Sequence, residues 1–237
     1  MKKIIGSSLL ACTMLSNVAV ANNIDVGKTY VKVGVGTVFY DDNDGKLEDS
    51  GNTWGYDFDF KKTEAYNIGV GYKINKYLTT ELTYQKNNNM KFSGNEQLDG
   101  VYVDDKRETN LKTSSIMINA LFDIETIFKK DWKINPYIGL GIGYAKHKMD
   151  NLASVYNESY FIGDESTSLS YKAILGATYP INKKFFIDTS YSYVDYGTAK
   201  ITNKFVIPSL NISADIGTPM EVDVKSQELF LSLRYVF

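Results

Sequence analysis

Seven ionisable side chains, Lys32, Glu81, Asp123, Lys172, Asp188, Glu228 and Arg234, fall on the polar side of segments whose other side is apolar. Charges withdrawn from bulk water persist where a partner of opposite sign and further hydrogen bonds replace their hydration, so mutual pairing is the chemistry these residues are suited to. Asp188 near the start of one segment and Arg234 near the end of the next should lie at similar depth, with Lys32 beyond them. An ion-pair cluster is expected there. It would either plug an interior or gate a path for ions.

Other chemistry is poorly provided for. His147 is the only histidine, and a general base needs a nucleophile or an orienting acid beside it. Ser154, Ser159 and Ser166 share its stretch, but any long polar segment contains serines, and no enzyme activity is expected. The acidic stretch Asp41, Asp42, Asp44, Glu48, Asp49, Asp57 and Asp59 contains a calcium-like DNDG. An EF-hand loop wants acids at positions one, three and five, Gly at six and Glu at twelve. Counting back from Gly45 puts Tyr40 first and Gly51 twelfth, so the motif fails. A solvated acidic loop is the favoured reading, with weak divalent-cation binding as the other. No metal site and no cofactor is expected.

Residues 1–21 stand apart from whatever positions these groups. Lys2 and Lys3, the apolar run Ile4 to Leu15, and Ala19-Val20-Ala21 before Asn22 describe a secretory signal peptide with an A-x-A cleavage site. Leu9-Leu10-Ala11-Cys12 gives a rival lipobox reading, which leaves the apolar core too short. Residues 22–237 are then the exported domain. Cys12 is the only cysteine, so that domain has no disulfide, and losing Lys2 and Lys3 takes the net charge from -2 to -4. No basic stripe suggests a nucleic-acid partner, and no later run is long and apolar enough for a membrane-spanning helix.

The apolar residues recur with a period of two, the signature of strands with two unlike faces. In Thr29 to Tyr40, Val31, Val33, Val35 and Phe39 oppose Lys32, Gly34 and Gly36. The same pattern marks Ala65 to Tyr72, Tyr77 to Gln85, Ser115 to Ile124, Pro136 to Ala145, Leu169 to Tyr179, Phe185 to Val194, and Glu228 to Phe237, giving eight strands. Short links (Lys73 to Lys76, Glu125 to Asn135, Pro180 to Lys184) alternate with long polar ones (Asp41 to Glu64, Lys86 to Ser114, Lys146 to Ser168, Asp195 to Lys225). An up-and-down meander therefore has one short-turn end and one long-loop end.

A soluble barrel would pack its apolar face inward. Here the polar face carries Gly34, Gly36, Gly69, Gly71, Gly139, Gly141, Gly143 and Gly176, which cannot fill a soluble core but leave room for long polar side chains in a narrow interior. The apolar face ends in aromatics at both levels: Phe39, Tyr66, Tyr84, Tyr144, Tyr171, Tyr191 and Tyr193 toward the long loops, Tyr72, Phe122, Tyr179, Tyr235 and Phe237 toward the short turns. Two aromatic girdles around an apolar band describe a transmembrane barrel. The expected fold is an all-β, eight-stranded, antiparallel up-and-down transmembrane β-barrel with short periplasmic turns and four long extracellular loops. An open sheet edge in lipid would strand its N–H and C=O groups, so the last strand must pair with the first.

The PYIGLGIGYA strand, and the ending with Leu229, Leu231, Leu233, Tyr235 and Phe237 on one face, resemble the eight-stranded outer-membrane barrels of the opacity-protein and outer-membrane-protein-A type, many of them Gram-negative surface antigens. The resemblance runs from about Thr29 to Phe237. It implies location in the outer membrane, contact with its lipid and lipopolysaccharide, and a terminal aromatic motif, here Tyr235 and Phe237 with the three leucines, read by the assembly machinery. Outer-membrane protein A continues into a peptidoglycan-binding domain; this sequence ends on the barrel strand, so cell-wall anchoring is not expected. The expected function is that of a surface antigen or adhesin, whose loops carry Trp54, Tyr56, Phe58, Tyr102, Tyr156, Tyr160 and Phe161 as anchors for host-cell molecules, or as mutual packing. A narrow porin for small solutes and a purely structural membrane protein are the alternatives.

Overall fold

The computed structural model describes residues 25, 27–41, 43–49, 52–59, 62–98, 101–124, 127 and 134–237, and the side chains among these except at 43–59, 92, 95–98 and 101–105. The expected signal peptide, with Ala19 and Ala21, lies outside the described residues. So does most of the link Glu125 to Asn135.

Among the described residues the strands are β1 (Thr29–Tyr40), β2 (Asn43–Asp49), β3 (Asn52–Asp59), β4 (Thr63–Lys73), β5 (Leu78–Asn87), β6 (Met90–Leu98), β7 (Val101–Asp123), β8 (Asn135–Met149), β9 (Leu152–Ser154), β10 (Tyr160–Gly163), β11 (Glu165–Pro180), β12 (Phe185–Ile207), β13 (Ile212–Asp215) and β14 (Met220–Val236). Eight of them form a ring of antiparallel neighbours, β1-β4-β5-β7-β8-β11-β12-β14, and β14 returns to β1 from Tyr30 opposite Val236 to Tyr40 opposite Ser226. No edge is left in that ring, as lipid requires.

The outward face of the ring carries Val33, Val35, Ile68, Val70, Leu82, Ile116, Ile118, Leu140, Ile142, Leu175, Leu229, Leu231 and Leu233, exposed at the protein surface, together with the aromatics of both expected girdles. The inward face carries the glycines and polar groups. At the short-turn end the motif Ile-Asn-Lys occurs twice with the same result. Asn75 Oδ1 accepts from the backbone N–H of Tyr77 at 2.8 Å and Leu78 at 2.9 Å. Asn182 Oδ1 accepts from Lys184 at 2.8 Å and Phe185 at 2.9 Å. An Asx turn of this kind supplies locally the hydrogen bonds a tight reversal would otherwise lose.

At the other end the strands outrun the expected boundaries. Most of Lys86 to Ser114, Lys146 to Ser168 and Asp195 to Lys225, expected as loops, is strand, and the first long connection holds the β2–β3 hairpin. These extensions close a second ring above the first: β14 meets β2 at Glu221 opposite Lys46, followed by β3, β6, β7, β9, β10 and β12, which returns to β14. We call this upper ring the turret. A β-bulge in β12 between Asp195 and Thr198, with Gly197 at φ +74°, marks the passage into it. Bulges exchange one ladder position for a local bend, and glycine takes the positive φ without strain.

Candidate functional site

The lumen of the lower ring holds all seven expected charges and one more, Lys73, the last residue of β4. Arg234 Nη2 lies 2.6 Å from Asp188 Oδ2. The same oxygen accepts the Tyr137 hydroxyl at 2.9 Å and that of Thr178 at 3.4 Å. The guanidinium sits between two rings, 4.7 Å from the centroid of Tyr30 and 5.3 Å from that of Tyr137, a stacked arrangement that the planar arginine head favours. Each ring rests on a glycine: a Cβ at Gly71 would strike Tyr30, and one at Gly176 would strike Tyr137. The glycines therefore make room for long side chains of the adjacent strands rather than for ones reaching from across the lumen.

Lys32 lies opposite Arg234 in the β1–β14 register, yet its ammonium turns away to Glu81 Oε1 at 2.6 Å. Tyr30 joins the two pairs by donating to Glu81 Oε2 at 2.7 Å. Asp123 is held by Lys73 at 3.1 Å, nearer the short-turn mouth. Toward the turret, Lys172 reaches Glu228 at 3.1 Å, and Glu228 Oε1 also accepts from Gln85 at 2.9 Å and from the Tyr196 hydroxyl at 2.5 Å. The expected single cluster is thus two tiers and a mouth pair. Four cations face four carboxylates, each cation within 3.1 Å of its partner. Cavities of about 30 Å³ and 20 Å³ lie among these groups, each the size for about one water.

Sequence reasoning passed over Lys73, Tyr30, Tyr137, Gln85 and Tyr196. The signal was present: Lys73 continues the inward series Asn67, Gly69, Gly71, while Tyr30 and Tyr137 fall in phase with Lys32 and Gly139 rather than with the girdle aromatics.

Above the Glu228 tier the lumen turns apolar. Val38 stands level with Glu228 and Val194 above it, Phe230 packs one inward position below it against the Lys172 ammonium, and the same apolar cluster, with Met117, continues through Leu111, Met149, Leu152, Ile201, Met220 and Val222, which fill the turret. Phe161, expected as a loop anchor, is buried there, 5.1 Å from the Phe205 ring and beneath the guanidinium of Arg107. Tyr156 is exposed, joined by Val155, Leu210 and Ile212; Tyr160 is half-buried. The side chains of Trp54, Tyr56, Phe58, Tyr102 and most of the acidic first loop lie outside the described residues.

His147 serves the fold at this level. The bulge in β12 directs the Tyr196 carbonyl inward, where His147 Nε2–H donates to it at 3.0 Å and the Ser170 hydroxyl at 3.2 Å. His147 Nδ1 accepts from Thr113 Oγ1 at 3.1 Å. Ser166 is its cross-strand neighbour, but that hydroxyl donates to the Thr198 carbonyl. Ser154 accepts from the N–H of Tyr156. No hydrogen bond joins His147 to any of the serines in its stretch among the described residues.

The outer membrane protein beta-barrel domain family matches this chain over residues 8–237. The outer membrane protein PagN of Salmonella typhimurium is 24% identical over 143 residues, 59% of this chain and 55% of that protein. An uncharacterized protein of Brucella abortus is 27% identical over 161 residues, 60% and 55% respectively. The chain spans about half the length of the curated relatives it matches. Among solved structures, the outer membrane protein OprG from Pseudomonas aeruginosa superposes with a TM-score of 0.60 at 14% identity, covering 91% of this chain and 98% of that one. The outer membrane protease OmpT from Escherichia coli does so at 0.56 and 6% identity, covering 93% and 99%. At these identities the likeness is one of fold.

Proposed function

Because the chain belongs to the outer membrane protein β-barrel domain family, we propose that it is a surface protein or adhesin of the Gram-negative outer membrane, presenting its turret to molecules outside the cell on a barrel that stays shut. One observation carries the reading: the lumen is occupied along its length, first by the paired charges and then by an apolar fill. A barrel of this size is only wide enough for side chains to fill. A narrow conduit would need the Glu228 tier and the apolar fill above it to move aside together. The exposed Tyr156, Leu210 and Ile212 at the far end are side chains of the kind interfaces use as anchors.

Two measurements test this. Wild-type protein in planar bilayers gives no resolved conductance steps; steady openings would favour the conduit. Cells carrying Tyr156→Ser, Leu210→Ser and Ile212→Ser together lose adherence to host surfaces while the barrel keeps its heat-modifiable gel mobility. Unchanged adherence leaves a purely structural role. For Tyr235 and Phe237 we keep the proposal of a signal to the assembly machinery, supported by their outward placement and edge-on ring contact at 5.3 Å. Phe237→Ser then lowers the folded amount in the membrane without lowering the stability of what folds.

A further inference from the structure

Just above the outer girdle the barrel's exterior is unlike on its two sides. On one side, Tyr84, Ile116, Tyr144 and Leu169 stand in direct register across β5, β7, β8 and β11. The next outward row above them reads Lys86, Ser114, Lys146, Thr167. The row above that reads Lys112, Lys148, Glu165. Directly opposed residues have Cβ atoms ~5 Å apart, and same-face rows along a strand follow at ~7 Å. Two ammonium groups therefore flank a serine hydroxyl, a threonine hydroxyl closes the row, and behind it stand the ammonium groups of Lys148 and of Lys112, the latter 3.6 Å from Asp150.

On the other side, the row at the girdle is Tyr193, Gln227, Phe39, and the one above it is Asp195, Lys225, Asp41. Glu64 of β4 stands between the two sides, with Thr37 on one flank and Asn88, two residues beyond Lys86, on the other. The second side is net acidic where the first is net basic.

We propose that the β5–β7–β8–β11 face is a binding site for the phosphate of an outer-leaflet glycolipid, held by Lys86, Lys146 and Lys148 with Ser114 and Thr167. The position selects the ligand. Aromatic girdles lie at headgroup level, so a basic patch one row above them meets charged headgroups, while the acyl chains run down over Ile116, Ile118, Leu140 and Ile142, all exposed on the same face. Glu165 does not cancel the patch: its one carboxylate is shared by Lys146 at 2.7 Å and Lys148 at 2.8 Å, which hold its pKa down to about 2. The inference is independent of what the turret binds.

The test uses the full chain folded in phosphatidylcholine nanodiscs that carry bis-phosphorylated lipid A, dephosphorylated lipid A, or neither, with the lipid retained per barrel read by native mass spectrometry. Wild type retains the phosphorylated lipid, and K86Q/K146Q/K148Q retains it roughly a hundredfold more weakly, at about a fivefold step for each lysine less the share due to Glu165. K200Q/K225Q, on the other side, behaves as wild type. Should the triple variant fold poorly by heat-modifiable mobility, K146E alone takes its place. Retention by the lysine variants equal to wild type, equal retention of the dephosphorylated lipid, or release of the lipid by millimolar inorganic phosphate would each overturn the proposal.

Discussion

The lower ring and the turret are built from the same strands and yet are inside-out with respect to one another. β14 shows this without any break in its pairing parity. From Ser226 to Val236 the inward residues include Glu228, Ser232 and Arg234, and the outward ones are Leu229, Leu231 and Leu233. From Met220 to Val224 the inward residues are Met220, Val222 and Val224, and the outward ones are Glu221 and Asp223, followed by Lys225. The medium outside decides which face is apolar. In hydrocarbon the outer surface must be greasy and the charges retreat to the lumen. In water the hydrophobic effect drives the apolar side chains in and leaves Lys200–Glu221 and Lys146–Glu165 as surface pairs.

That contrast can be broken most severely in the lower lumen. Arg234→Ala leaves Asp188 buried beside two tyrosines with no cation, which should cost about 3–5 kcal/mol. Arg234→Ala together with Asp188→Leu should recover much of it. Urea titration in lipid vesicles, followed by heat-modifiable mobility, reads both. If the single variant is as stable as wild type, the pair is not the closed element described here.

The second test sharpens the boundary on the outward face of one strand. Leu231→Lys, facing mid-bilayer lipid, should cost about 2–4 kcal/mol. Lys225→Leu, six residues away on the same face but above the girdle, should change stability by less than about 0.5 kcal/mol. Equal costs at the two sites would remove the boundary.

The membrane half of this architecture was legible because lipid imposes one rule on every strand: Val31, Ile68, Leu140 and Leu231 all obey it. The turret was hidden for a related reason. Its apolar residues alternate in the opposite phase, so Met220, Val222 and Val224 do not continue the series Leu229, Leu231, Leu233, and the stretch reads as a loop when a single phase is sought. The charges of the lumen were found by the same parity, and the Asp188–Arg234 pair by counting depth. What parity alone does not give is which partner each cation takes. Lys32 goes to Glu81 because the space beside Asp188 is filled by Arg234 and the ring of Tyr137. That is a matter of volume, set by Gly71 and Gly176.

The smallest effect belongs to the turret exterior. Glu165 is solvated, and Lys146 and Lys148 lower its carboxyl to about 2. A carboxylate with a depressed folded pKa contributes stability above its unfolded value and loses it as the pH falls toward the folded one. Glu165→Gln should therefore lower stability at neutral pH only slightly, as for any solvated ion pair, and flatten the acid limb of a stability profile between about pH 4 and pH 2 by that same small amount. A large loss at neutral pH would mean that this pair belongs to the packed part of the turret.

The inversion itself is tested most directly by cysteine labelling along β14 in intact outer membranes. Cys12 is the only native cysteine, and in a Cys12→Ser background each probe is unique. Asp223→Cys is predicted to react with a membrane-impermeant maleimide, Leu231→Cys only with a lipid-soluble one, and Val222→Cys and Phe230→Cys with neither. Reaction of Leu231→Cys from water, or of Val222→Cys as fast as Asp223→Cys, would contradict the account.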